Sequence, residues 1–166
     1  YSLERGHTKY TSNAGMLQLR REIASYLNRR FDLHYDYASQ ILVTVGGSEG
    51  LDLAFRCLLE PGDEVIMPSF TFVSTANAFA LRGAKIVFAD VEPDTMNLDP
   101  ACVRAALTSR TRAIVPVHYA GVCCDMDALG DIAREHGLAM VEDAAQAVGS
   151  FYKDRPAGSM SDVGCF

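Results

Sequence analysis

No apolar run in this sequence approaches the ~20 residues that a helix needs to cross a bilayer. The opening residues, Tyr1-Ser2-Leu3-Glu4-Arg5, lack the apolar stretch of a signal peptide. Both absences lead to the expectation of a cytoplasmic protein with no membrane partner. A basic block is missing too, because 21 acidic residues outnumber 15 basic ones and leave a formal charge of −6. Such a surface offers no electrostatic footing for nucleic acid, so small molecules are the expected partners. The five cysteines (Cys57, Cys102, Cys123, Cys124, Cys165) contain no C-x-x-C pair, so neither a disulfide framework nor a zinc site is expected, and no metal ligand is assigned. Adjacent Cys123 and Cys124 read as small residues after a tight turn at Gly121 rather than as a redox pair. The chain has no internal repeat and no low-complexity linker.

What is present is 166 residues with 49% hydrophobic content, enough for one domain with a real core. Five apolar runs recur, at residues 41–45, 64–67, 85–89, 112–117 and 138–142. Their apolar residues are continuous rather than alternating, which predicts central strands covered on both faces. Between the runs, helical spacing links Leu51, Ala54, Phe55 and Leu58, then Val73, Ala76 and Ala80, then Met126, Leu129, Ile132 and Ala133. Pro61-Gly62, Arg82-Gly83 and His136-Gly137 fall where those helices should stop. The expected fold is α/β, a mostly parallel sheet with helices on both faces and right-handed crossovers. Leu19, Ile23, Tyr26 and Leu27 mark an earlier amphipathic helix whose charged face, including Arg20 and Arg21, reads as solvated. Residues 149–158 read as a strand and turn, and Asp162 to Phe166 as the start of another strand.

Ligands of an open parallel sheet collect at the carboxyl ends of its strands. After the first run, Gly46-Gly47-Ser48-Glu49-Gly50 leads straight into a helix, where free N–H groups and a hydroxyl can hold a phosphate. Taken alone, the same residues also fit a glycine turn with Ser48 as a helix cap. This is no G-x-G-x-x-G fingerprint, and the second run ends at Pro68 without an acid for a ribose, so a dinucleotide fits poorly. After the second run, Phe70 and Phe72 offer rings that could stack on a planar heterocycle or fill the core. After the fifth comes Glu142-Asp143-Ala144-Ala145-Gln146, where Asp143 emerges from a buried strand and needs a cation, unless it caps the next helix. A phosphate cradle, an aromatic plate and a strand-end Asp together suit pyridoxal 5'-phosphate (PLP), whose ring becomes an electron sink when an Asp keeps its nitrogen protonated.

From about residue 62 to 166 the chain resembles the DegT/DnrJ group of sugar-nucleotide aminotransferases, fold type I PLP enzymes, and within it the dTDP-4-amino-4,6-dideoxygalactose transaminases. The resemblance is carried by GDEVIMPSFTFVSTANAFALRGAKIVFADVEPDTMNLD, TRAIVPVHYAGVCCDMDAL, VEDAAQAVGSFYKDRPAG and DVGCF. Residues 1–61 are closer to class I aminotransferases, through KYTSNAGMLQLRREIASYL and ILVTVGGSEGLDLAFRCLLEPGDEV, so the chain looks like a hybrid joined near Pro61 to Val65.

The resemblance implies that Gly47 and Ser48 hold the phosphate, Phe72 stacks on the ring, Asp143 binds the pyridine nitrogen and Gln146 contacts the ring face or its hydroxyl. Tyr10 would reach a neighbouring subunit's phosphate in a homodimer. His118 lies at a strand end and reads as a packed, hydrogen-bonded histidine. The class I asparagine-proline motif is replaced by His118-Tyr119-Ala120-Gly121. The Schiff-base lysine implied by the resemblance falls after Phe166, together with a small C-terminal domain, so no catalytic residue is assigned and Lys9, Lys85 and Lys153 read as surface charges. The implied parent reaction moves an amino group from an amino acid, with glutamate expected, to a keto sugar nucleotide. Alternatives are an amino-acid aminotransferase, a PLP-dependent sugar dehydratase and a non-catalytic binding or assembly module.

Overall fold

The computed structural model describes residues 4–6 and 10–166; Lys9 lies outside the described residues. The chain divides into two compact units, Tyr1–Thr44 and Val45–Phe166. No helix among the described residues is long and apolar enough to cross a membrane.

The first unit holds helix α1 (Leu17–Phe31), which ends on Asp32 in the left-handed region at φ 56°, its N–H returning to Asn28 O. Two expectations fail here. Arg20, placed on the solvated face, is 7% exposed, and its Nη1 donates to Tyr37 O at 3.2 Å and Ala38 O at 3.1 Å. A guanidinium can be buried where it satisfies carbonyls that would otherwise lack donors, and the turn at 36–40 supplies them. The run Ile41–Val45, expected as a central strand, forms no strand. A strand exists only through a ladder; here Val43 N–H donates to Ala14 O at 3.2 Å without building one, and Leu42 and Val45 stand 51% and 88% exposed.

The second unit is a three-layer α/β/α arrangement. Its sheet runs, in spatial order, through residues 85–89, 64–68, 111–114, 139–143 and 163–165, every pairing parallel. The strands are β1 (Glu64–Pro68), β2 (Lys85–Ala89), β3 (Thr111–Ile114), β4 (Ala139–Asp143) and β7 (Val163–Cys165); β5 (Phe151–Tyr152) and β6 (Arg155–Pro156) form a separate hairpin. Successive side chains of a strand point to opposite faces, and β1 feeds both cores. Val65 and Met67 pack with Leu51 and Phe55 of α2 (Gly46–Leu58) and Phe79 of α3 (Val73–Ala80). Ile66 packs with Val103 of α4 (Pro100–Ala106) and with Leu129 and Ile132 of α5 (Met126–His136). All five residues of β1 are buried, as the continuous apolar run predicts. β2 has the same kind of sequence but lies at the edge, where Phe88 is exposed, so it is not a central strand.

The helix stops follow the glycine signals only in part. Gly137 caps α5 in the left-handed region at φ 63°, whereas α3 ends on Leu81 in ordinary helical geometry. A further helix, α4 (Pro100–Ala106), lies outside the expected helical segments; it starts with Asp99 accepting the Ala101 N–H at 2.7 Å and with Pro100 in its first turn. At the amino end of the sheet, Glu64 is buried and bonded by Thr108, Arg110 and Lys85. The Thr108 hydroxyl and then the Arg110 guanidinium hold its carboxyl down at about 2.

Candidate active site

A cavity of about 470 Å³ opens at the carboxyl ends of the strands. That is the place an open parallel sheet offers a ligand, and the volume is in the range of small-molecule sites, roughly 300–1,000 Å³. Gly47 and Ser48 line it at the start of α2, where a helix leaves its first N–H groups without intrahelical acceptors. Gly46 enters the helix at φ 77°, and a Cβ on Gly47 would stand 3.1 Å from Phe166 O, so both glycines are set by backbone geometry. Ser48 is no helix cap: its Oγ donates to Ser74 Oγ at 2.9 Å and ties the start of α2 to the start of α3.

Asp143 ends β4 and lines the same cavity while only 7% exposed. Its Oδ2 accepts from Thr75 Oγ1 at 2.7 Å and its Oδ1 from the Ala145 N–H at 3.3 Å. Among the described ion pairs none involves Asp143. A carboxylate so enclosed, without a protein cation, leaves the cavity side open for one. Residues 144–150 form turns rather than a helix, so Asp143 caps no helix either.

The neighbouring Glu142 points to the other side of β4 and is fully buried. Its Oε2 accepts from Gly158 N–H at 2.7 Å and pairs with His118 Nε2 at 2.8 Å; its Oε1 accepts from Met160 N–H and Ser161 Oγ, both at 2.8 Å. Burial pushes this carboxyl up, but the His118 and Ser161 donors and the two amides outweigh it and leave the group below its ordinary value. His118 Nδ1 accepts the Cys124 N–H at 3.2 Å, which puts the ring proton on Nε2, facing Glu142. Both ring nitrogens are therefore engaged in holding the loop after β3, and His118 is the packed histidine that the sequence suggested.

The cavity brings together five of the six residues to which the resemblance gives a cofactor role: Gly47, Ser48, Phe72, Asp143 and Gln146. Phe72 is 71% exposed at the rim, while Phe70 packs edge-to-face on Tyr119 with centroids 5.0 Å apart. Gln146 Oε1 accepts the Ala120 N–H at 2.7 Å, which anchors its side chain. Tyr10, in the first unit, is fully exposed. Sequence reasoning missed Thr75 and Ser74, whose hydroxyls face carboxylate and serine partners 68 and 26 residues away. Their only signal was a run of small polar residues after Phe72. Lys85 bonds Glu64 at the opposite end of the sheet and Lys153 pairs with Asp127, so neither lies at the cavity. Burial pushes the Cys124 thiol up to about 12 and the Cys165 thiol up to about 11.

Comparison with known proteins gives this geometry a family. The DegT/DnrJ/EryC1/StrS aminotransferase family matches residues 10–166. The chain is 38% identical over 160 residues to the UDP-2-acetamido-2-deoxy-3-oxo-D-glucuronate aminotransferase of Pseudomonas aeruginosa, covering 96% of this chain and 42% of that protein. It is 46% identical over 121 residues to the GDP-perosamine synthase of Caulobacter vibrioides, covering 72% of this chain and 33% of that protein. Among solved structures, the aminotransferase TlmJ of Streptoalloteichus hindustanus superposes with a TM-score of 0.81 at 37% identity, over 92% of this chain and 40% of that one. The chain thus spans less than half the length of these relatives. Family match, sequence identity and superposition agree: the chain belongs to the DegT/DnrJ/EryC1/StrS aminotransferase family.

Proposed function

We propose that the cavity binds PLP and serves transfer of an amino group from an amino acid, with glutamate as donor, to a keto sugar nucleotide. The observation that carries this reading is the enclosed Asp143 carboxylate, with no ion-pair partner among the described residues, facing a cavity whose other end is the start of α2. The family is PLP-dependent, and the donor set fits the group. An anion suits the amides of Gly47 and Ser48, and a protonated ring nitrogen suits Asp143. PLP, when bound, supplies an electron sink for breaking bonds at the carbon that carries the amino group.

In this reading Asp143 keeps the proton on the ring nitrogen, Phe72 covers one face of the ring, and Gln146, anchored through Ala120, presents its amide to the face or hydroxyl. Tyr10 reaches the phosphate of a second copy in a homodimer. His118 moves no proton, because Glu142 and the Cys124 amide occupy both its nitrogens. The amine that the reaction requires comes from outside the cavity residues named here, since Lys85 and Lys153 are held elsewhere.

The test is transfer of 15N from glutamate, followed by mass spectrometry, in a protein of the relatives' full length that carries these 166 residues. Label should appear on a nucleotide-linked keto sugar. Label on 2-oxo acids alone would favour the amino-acid aminotransferase reading, and elimination of water from the sugar would favour a dehydratase.

A further inference from the structure

We propose that Thr75 is a positioning residue that sets the Asp143 carboxylate toward the cofactor's ring nitrogen, an inference that rests on the PLP reading of the cavity. Thr75 lies on α3, fully buried, and its hydroxyl donates to Asp143 Oδ2 at 2.7 Å across 68 residues of sequence. A helical threonine ordinarily turns its hydroxyl back to a carbonyl of the preceding turn. Here it is spent on another element. A carboxylate can only accept, so the Thr75 proton is committed to Asp143, and in the 3.4 Å contact with Thr71 Oγ1 it is Thr71 that donates. The result is a directed chain, Thr71 to Thr75 to Asp143, with Thr71 and Asp143 lining the cavity.

The main chain of Asp143 is already fixed: its N–H donates to Pro116 O at 2.9 Å and its O accepts the His118 N–H at 3.1 Å. What the strand leaves soft is the terminal torsion of the aspartate, which is broad and two-fold. Thr75 pins Oδ2, the Ala145 N–H touches Oδ1 from the rim, and the plane of the carboxylate is thereby set. Without the hydroxyl, the same carboxylate would be present but free to rotate away from a ring nitrogen.

The probes are PLP and its analogue in which the ring nitrogen is replaced by C–H, each titrated by absorbance against the purified protein and its variants. Wild type should bind PLP more tightly than the analogue, and Asp143→Ala should erase the difference. If Asp143→Ala keeps the wild-type ratio, the PLP reading of Asp143 fails, whatever Thr75 does. If the ratio collapses there, Thr75→Val should weaken PLP about tenfold, the size of one lost hydrogen bond to a charged group, and change the analogue less than about twofold. Thr75→Ser, which keeps the hydroxyl, should restore the wild-type ratio. Equal weakening of both probes by Thr75→Val, or a Thr75→Ser variant as poor as Thr75→Val, would show a role in packing only and overturn the proposal. Should Thr75→Val not fold, Thr75→Cys, a weaker donor of similar size, reads the same ratio with the same two outcomes.

Discussion

Glu142→Gln changes one atom of a side chain that is fully buried, and the structure gives its cost a size. The two carboxylate oxygens accept from four donors: Met160 N–H and Ser161 Oγ on one, Gly158 N–H and His118 Nε2 on the other. An amide at this position must turn its NH2 toward one of these pairs. Facing Met160 and Ser161, it meets a backbone N–H that cannot rotate; facing Gly158 and His118, it meets a second fixed N–H. The histidine cannot escape by switching tautomer, because Nδ1 already accepts the Cys124 N–H. The Met160 side costs less, because Ser161 Oγ also donates to Val163 O at 3.0 Å and can accept the amide N–H; the buried Met160 amide then keeps no partner, so the expected destabilisation is about 2–3 kcal/mol. Urea unfolding followed by circular dichroism measures it, with Glu135→Gln on the surface, paired to Arg104 at 2.8 Å, as the control expected to leave the unfolding midpoint almost unchanged. A Glu142→Gln variant within about 1 kcal/mol of wild type would refute the claim that this carboxylate locks the 158–161 segment and the His118 loop against β4.

Other consequences are as direct. Glu64 has its carboxyl lowered from 4.5 to about 2, so its contribution is complete above about pH 4.5 and is lost as pH falls toward 2; Glu64→Gln should flatten the acid limb of a thermal-unfolding series over that window. Mixed with PLP and reduced by borohydride, this chain should carry no stoichiometric adduct on Lys85 or Lys153, and an intact-mass and peptide measurement that finds one would place an amine where none is seen. Asp143→Ala should weaken PLP binding far more than Asp131→Ala on α5, whose exposed carboxylate pairs with Arg134, and equal effects would remove Asp143 from the site.

Much of the sheet was legible because its strands are short continuous apolar runs, and the parallel ladders of β1 to β4 turn those runs into structure. Ile41–Val45 shows the limit of that signal: hydrophobicity marks the wish to be covered, but a strand also needs a neighbour to exchange hydrogen bonds with. Phe88 makes the same point from the other side, since β2 reads like β1 and is nonetheless an edge. Cavity residues were legible where chemistry is local, as with Gly47 beside Ser48 or Asp143 at a strand end. Arg20, Thr75 and the donors around Glu142 were not, because each finds its partner at least 16 residues away, a distance that periodicity and spacing do not encode. Asp99-Pro100 carries a local helix-start signal, a capping Asp followed by Pro, and opens α4.

The central claim is that the start of α2 holds the phosphate of PLP. Its most direct test is a titration of PLP, followed by absorbance, against wild type and Ser48→Asp, with circular dichroism confirming that the variant folds. A fixed carboxylate at the helix start repels a dianionic phosphate, so wild type should saturate and Ser48→Asp should show no binding. Unchanged affinity in Ser48→Asp would put the phosphate elsewhere and contradict the account.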